Sequence, residues 1–441
     1  MGPALGLHAA QEPTKLHPVL DLKYIRQEPD AVRAGAAKKR IECDVDRILE
    51  LDVLNRELMG SIDEMRQRQK QSGQAIAKAA PEERPALAEA QKSLKAGLKE
   101  AEARQGGIQE ELDALLLKVP NVPAAEVPDG ADDTENVELR TWGEPTGFAF
   151  QPRSHIELGE QHDWLDILRG AKLSGSRNYV LKGDLSLLEG AVMRYALDLM
   201  VSRGFTPISV PTLVRSEAMV GTGYFPGGED QAYKCDERDD LCLVGTAEVP
   251  LTAMHSDEIL DLGQLPMKFV ALSTCYRREA GTYGKDTKGL YRVHQFQKVE
   301  QVVVDQADEG LSLAHHEEIL RNAEDLLQSL ELPYRVVNVC GGDLGQPQVQ
   351  KFDIETWMPS REAYGETHSA SRFHDFQARR LNLRYRGEDG KVRFCHTLNN
   401  TVAASTRMLI ALLENHQTES GAIRVPEPLR GYLGGRELLG A

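Results

Sequence analysis

The chain has 441 residues, 41% hydrophobic and 27% charged, a globular composition long enough for two or three domains. Its net charge is −16, so any nucleic-acid contact must come from a local basic patch on an acidic protein. No apolar run approaches the roughly 18–20 residues a membrane helix needs, which argues against a membrane role.

Residues 1–20 contain one Lys, no Arg and no continuous apolar stretch. They read as a disordered extension or tag, unlike a secretory signal or an Arg-rich transit peptide, and a cytoplasmic location is expected. Cysteines fall at 43, 235, 242, 275, 340 and 395 without a C-x-x-C, the pattern of free thiols in a reducing compartment.

From Asp44 the spacing becomes helical: Ile48, Leu51, Leu54, Leu58, Ile62 and Met65 recur every three or four residues. Pro81 interrupts, and Leu87, Leu94, Leu98, Ala101, Ile108, Leu112 and Leu115 continue the pattern. Two helices of about thirty residues with narrow apolar seams predict an antiparallel coiled-coil hairpin over 44–118, projecting into solvent. Gly106-Gly107 predicts a local weakening or bend. The alternative reading of such a hairpin is a dimerisation or scaffolding coil. Between Glu64 and Arg104, however, nine Lys/Arg face six Asp/Glu, and a net of +3 could meet a phosphate backbone.

Residues 118–138 are proline-punctuated, acidic and aperiodic, and predict a linker. Beyond them FTPISVP, MKFVALS, YRVHQFQKVEQVVV, YRVVNV and KFDIETWM read as strands, and 185–203, 310–330 and 403–415 as helices. Strands that follow one another without helices between them predict an α+β fold with an antiparallel sheet. No G-x-G-x-x-G or Walker loop is present, so a nucleotide would be held by other means.

The densest polar segment is YRREAGTYGKDTKGLYRVHQFQK at 276–298, with six Lys/Arg against Glu279 and Asp286. It predicts two strands joined by a long Gly-containing loop, with Arg277 and Arg278 placed to clamp a phosphate and Phe296 offering a face to a base. A second segment holds Glu366, His368, Ser369, Asp375, Arg379 and Arg380. A third runs from a polar turn into an apolar helix carrying Arg407, which could face the core's edge or a ligand. The residues by themselves thus point to an anion-binding, nucleotide-sized site, and no further.

Several segments match a known family: HIELGEQHDWLD, AKLSGSRNYVLKGD, GTGYFP, VGTAEVPL, YRREAGTYGKDTKGLYRVHQFQKVE, DFQARRLNLRY and HTLN…LLENHQ. Over about 420 residues the chain closely resembles bacterial-type seryl-tRNA synthetases. The resemblance implies a class II synthetase antiparallel sheet core flanked by helices, with an N-terminal antiparallel α-helical coiled-coil arm. It implies domains at 21–124 (tRNA-binding, with the arm) and 125–441 (catalytic), a homodimer, and L-serine, ATP, Mg²⁺ and tRNA(Ser) as substrates and partners. The alternatives are a relative that adenylates an amino acid for a non-tRNA acceptor, and a silent tRNA-binding or scaffold protein.

Matched motif to motif, the resemblance assigns Thr246, Ala247 and Glu248 to serine, Glu248 accepting from the α-ammonium group. Glu300 and Thr401 match the readers of serine's hydroxyl. Arg277 matches the α-phosphate contact and Glu279 the adenine-amino contact, beside Arg278; Val293 and Phe296 match the adenine-packing positions. Thr367 and His368 fall in the ATP segment, Glu366 and Ser369 on the Mg²⁺ ligands, and Arg407 on the γ-phosphate arginine. Pro211 matches the dimer-forming proline. Arg66, Arg68, Lys70, Lys78, Lys92, Lys95 and Lys99 would face tRNA. The sequence departs from the family pattern at His368 (usually Ser), Arg372 (Asn), Asn400 (Gly), Ser405-Thr406 (Val-Gly) and Gly245 (Pro). His368 is expected to orient Glu366 or a metal-bound water.

Overall fold

The computed structural model describes residues 20–236, 238–281 and 288–441; the centre of the predicted loop and residues 1–19 lie outside them. The chain divides into a unit of Pro18–Ala37 with Ile41–Val122, and a second consisting chiefly of Pro123–Ala441.

In the first unit, short helices α1 (Leu22–Gln27) and α2 (Pro29–Lys38) precede two long ones, α3 (Val45–Lys78) and α4 (Arg84–Leu116). The Asp44 carboxylate caps α3 by accepting from Arg47 N at 2.9 Å, satisfying one of the unpaired amides of the first turn. Thirty-four residues at 1.5 Å each give a helix of about 50 Å. Its inward stripe, with Ile48, Leu51 and Ile62 buried, meets Leu98, Leu112 and Leu116 of α4. A polar layer interrupts the seam: Asn55 Nδ2 donates to Gln109 Oε1 at 2.9 Å, and Gln105 Nε2 donates to Asn55 Oδ1 at 3.0 Å. Bonds of this kind are lost if the helices slip, so they fix the register of the hairpin. The predicted weak point at Gly106-Gly107 is not a break, because α4 runs through it.

The second unit is built on an eight-stranded sheet. Its strands are β1 (Val137–Trp142), β2 (Thr206–Pro207), β3 (Met267–Tyr276), β4 (Gln295–Asp305), β5 (Tyr334–Asn338), β6 (Gln350–Met358), β7 (Ala363–His374) and β8 (His396–Ala404). The spatial order is β1-β5-β6-β7-β8-β4-β3-β2, antiparallel except for β2 against β3. One face carries helices α5 (Gly183–Ser202), α7 (Glu309–Ser329) and α9 (Ser405–Asn415) over the main core, which includes Ile354, Ala370, Leu398 and Val402. In α9 every residue except Arg407 is buried. Its Leu, Ile and Met side chains each contribute about 1.5–3 kcal/mol. The other face packs α6 (Glu248–Ala253) through Ala247, Leu251, Ala271 and Val302 and keeps its centre polar. Helix α8 (Phe376–Arg380) follows β7.

Three expectations are corrected. FTPISVP contributes only the two residues of β2. The predicted linker is fastened to the sheet unit from Ala124 onward: Ala124 N donates to Val349 O at 2.9 Å, Asn338 Nδ2 to Glu126 O at 2.9 Å and Gly341 N to Pro128 O at 2.9 Å. The polar segment at 363–374, given no element in the sequence reading, and the stretch 396–404, expected as a polar turn, are the two central strands.

Candidate active site

Two neighbouring compartments line the polar face of the sheet. The first is a buried carboxylate pocket. Glu300 on β4 stands opposite Thr401 on β8, and three donors converge on its Oε2: Lys298 Nζ at 2.6 Å, Thr246 Oγ1 at 3.3 Å and Thr401 Oγ1 at 3.3 Å. Glu248, the first residue of α6, accepts from Tyr224 Oη and from Gln377 Nε2, each at 2.7 Å. Tyr224 is delivered by the turn at Gly223. There φ is +87°, and a Cβ would stand 3.1 Å from Phe376 and Pro347, so glycine is required. Burial and the nearby Glu300 push the Glu248 carboxyl up to about 7. Ala247 is fully buried beneath the pocket.

The second compartment is an open cleft of about 470 Å³ lined by Arg277, Glu279, Tyr291, Arg292, Val293, Phe296, Lys298, Glu366, Thr367, Thr401, Ala404, Thr406 and Arg407. Arg277 follows β3; its Nε reaches Gly245 O at 3.4 Å and its guanidinium lies 5.5 Å from the Phe296 ring centroid. At its other end Arg407, in the first turn of α9, donates to Glu366 O at 2.8 Å and pairs with Glu366 Oε2 at 3.3 Å. Burial alone would raise the Glu366 carboxyl, but Arg407, Lys351 and Arg277 hold it below the usual range. Glu279 pairs with Arg292 at 3.6 Å and holds φ +50°, an uncommon conformation for a non-glycine residue.

Glu366 and Ser369 were assigned to Mg²⁺. Both are hard oxygen donors on β7, and Ser369 stands opposite Asp353, whose Oδ1 is buried without a protein partner among the described residues. No cluster of three or more His, Cys, Asp or Glu suited to a metal occurs among the described residues. Mg²⁺ usually takes one or two carboxylates and completes its shell with water and substrate phosphates.

The structure therefore gathers Thr246, Glu248, Glu300 and Thr401 in the pocket, and Arg277, Glu279, Val293, Phe296, Glu366, Thr367 and Arg407 around the cleft. Arg278 does not line the cleft; its guanidinium lies 5.5 Å from the Tyr233 ring centroid. His368 does not line it either. It sits opposite Ile354, a core residue, its Nδ1 is 2.8 Å from Thr367 Oγ1, and burial pushes its imidazole down to about 4. The expectation that His368 orients Glu366 or a metal-bound water is corrected: strand alternation turns its ring to the helix-covered face. Asn400 is likewise opposite the core residue Ala370 and fully buried. Arg372 is buried and paired with Glu309 at 2.5 Å, and Ser405 Oγ accepts from Gln297 N at 3.1 Å. Arg380 donates to the carbonyls of Val220 and Phe225.

Sequence reasoning gave no role to Tyr224, Gln377, Tyr291, Arg292 or Lys298. GTGYFP and DFQARR held a signal for the first two, polar side chains in Gly- or charge-rich segments. In the hairpin unit, Arg66, Arg68, Lys70, Lys78, Lys92, Lys95 and Lys99 are all exposed. Arg66 pairs with Glu102 at 2.9 Å, and Lys92 approaches Glu89 at 4.0 Å.

The antiparallel sheet, with Arg277 after β3 and Arg407 on the helix after β8, is the core of a class II aminoacyl-tRNA synthetase. Residues 233–416 match the model of the tRNA synthetase class II core domain (G, H, P, S and T), and residues 19–123 match the seryl-tRNA synthetase N-terminal domain. The serine–tRNA ligase of Deinococcus radiodurans is 49% identical over 422 residues, covering 96% of this chain and 99% of that protein. The Rubrobacter xylanophilus serine–tRNA ligase is 43% identical, covering 96% and 99%. Among solved structures, the seryl-tRNA synthetase of Pyrococcus horikoshii complexed with ATP superposes with a TM-score of 0.88 at 39% identity, covering 95% of this chain and 99% of that one. The chain belongs to the seryl-tRNA synthetase family.

Proposed function

We propose that the protein is a serine–tRNA ligase, which activates L-serine with ATP and transfers the seryl group to the 3′ end of tRNA(Ser). The observation that carries this reading is the two-compartment site: a buried pair of carboxylates, acceptors suited to an ammonium group and a hydroxyl, beside an arginine-lined cleft.

A serine carboxylate oxygen attacks the α-phosphorus of ATP, the α–β bridging bond breaks, and pyrophosphate leaves with its electron pair. No covalent protein intermediate is needed, so the residues act by holding and by offsetting charge. Glu248 takes the ammonium group, which also relieves its own burial. Glu300 and Thr401 take the hydroxyl, beside Thr246. Arg277 holds the α-phosphate and Arg407 the γ-phosphate. Glu279 accepts from the adenine amino group, and the base lies between Phe296 and Val293. Mg²⁺, held by Glu366 and Ser369, would neutralise phosphate charge when bound. A ribose hydroxyl of the tRNA 3′ end then attacks the seryl carbonyl and AMP departs.

Residues 21–124 act as the tRNA-binding domain and 125–441 as the catalytic domain, in the cytoplasm. The seven exposed cations of the hairpin supply backbone attraction for tRNA, recognised by shape more than by base. Two copies pair through the apolar groove that contains Pro211, Val210, Leu213 and Met254, which light scattering in solution would test. Amino-acid-dependent ATP–pyrophosphate exchange tests the activity: serine alone should support it strongly, and exchange driven equally by alanine or threonine would reject the assignment.

A further inference from the structure

We propose that His155 is a positioning residue for the nucleotide side of the cleft: its ring holds the backbone at Leu290, and with it the cleft-lining run 291–293; this rests on the adenylation reading above. His155 opens the short helix His155–Gln161, whose start is fixed by a capping box. Glu157 N donates to Ser154 Oγ at 3.3 Å, and Ser154 N donates to Glu157 Oε2 at 2.8 Å. Both ring nitrogens of His155 are engaged: Nδ1 lies 2.8 Å from Glu414 Oε1, and Nε2 accepts from Leu290 N at 3.2 Å. An amide N–H can only donate, so Nε2 is the lone-pair nitrogen. The ring proton therefore sits on Nδ1, which donates to Glu414.

Glu414 is the fixed point of this arrangement. It is fully buried near the end of α9, and it also accepts from His155 N at 3.0 Å and from Ser360 N at 3.0 Å. One helix thus carries Arg407 in its first turn and, near its far end, the carboxylate that aims the His155 ring. Leu290 belongs to the main core, so its bond to the ring is made away from water. Gly289, at φ +75°, lets the chain pass directly against that ring: a Cβ there would stand 2.2 Å from Nε2 and 2.9 Å from Cε1. Just beyond Leu290, Tyr291 O accepts from Arg407 Nε at 3.4 Å, Arg292 pairs with Glu279 at 3.6 Å, and Val293 lines the cleft. These contacts belong to the nucleotide side, and none reaches the carboxylate pocket of Glu248 and Glu300. A shift at Leu290 is therefore felt by ATP and not by serine.

The test is pyrophosphate-exchange kinetics of H155N with ATP and serine varied in turn, beside the unmodified protein. Asparagine can place its amide nitrogen where Nδ1 stands and keep the bond to Glu414, but it has nothing at the position of Nε2. The buried Leu290 N–H then loses its acceptor, and KM for ATP should rise about tenfold. KM for serine should stay within about twofold. H155Q, whose terminal oxygen can take the Leu290 N–H, should recover most of the KM for ATP while lowering the melting temperature, because Glu414 loses the ring. Gly289→Ala pushes the chain off the ring without touching His155 or Glu414, and it should raise KM for ATP alone; it decides the matter if H155N does not fold. An unchanged KM for ATP in H155N or in Gly289→Ala would overturn the proposal while leaving serine activation standing. Equal rises in both KM values with a lowered melting temperature would also overturn it, because they would mark His155 as a general support of the fold. Absence of exchange by the unmodified protein would instead reject the adenylation reading itself.

Discussion

Replacing Thr401 by valine tests how serine is read. The two side chains are nearly isosteric, so the change removes one hydroxyl from a site that is 9% exposed. The fold loses the bond from Thr401 Oγ1 to Glu300 Oε2 at 3.3 Å, but Glu300 keeps Lys298 at 2.6 Å and Thr246 at 3.3 Å. The stability loss should therefore stay near the lower end for a bond to a charged acceptor, about 1.5 kcal/mol. Serine loses a partner for its own hydroxyl, about 1–2 kcal/mol, or about 5–30-fold in kcat/KM. Alanine has no hydroxyl to lose, and its background rate should change by no more than about twofold. Pyrophosphate exchange with both amino acids on the same preparation measures the ratio, expected to fall about tenfold. Equal losses for serine and alanine would refute the reasoning and make Thr401 a general support of the pocket.

Arg407→Ala should keep the fold and lose serine-dependent exchange by about 2–4 kcal/mol, which calorimetric melting and exchange kinetics check together. The Glu248 carboxyl is pushed up to about 7, above its ordinary 4.5, so folding favours its protonated form. Its contribution to stability is full below 4.5 and is lost as pH rises through about 7. The ammonium of serine needs the ionised form, so KM for serine should rise as pH falls below about 7, and Glu248→Gln should flatten that profile. His368→Ser should fold with a loss of about 1–2 kcal/mol from a partly emptied core position and keep exchange within a few-fold; a collapse of kcat would contradict its placement away from the cleft. Replacing the hairpin 44–118 by a short Gly/Ser turn should leave exchange largely intact and abolish charging of tRNA; normal charging would remove the hairpin from RNA recognition.

The hairpin, the three long helices of the catalytic unit and the apolar strands were legible because burial left a 3.6- or 2-residue period in the sequence. The two central strands were not. In β7 and β8 one face carries polar groups such as Glu366, Ser369 and Thr401, while the other includes His368 and Asn400, so neither face reads as apolar. Function and buried polarity erased the alternation on which strand prediction depends. The Asn55–Gln105–Gln109 layer was hidden similarly, because amides at seam positions resemble a solvated face. His368 was misplaced because a β-bulge separates it from Glu366, and register is a property of the paired strand. His155 and Leu290 are far apart in sequence, and only the fold brings them together.

The most direct test of the account is transfer of labelled amino acid to tRNA, with each of the standard amino acids offered in turn. The account predicts that serine alone is transferred, to tRNA(Ser) alone, with release of AMP and pyrophosphate. Formation of seryl-adenylate without label on tRNA, or label from another amino acid, would contradict it.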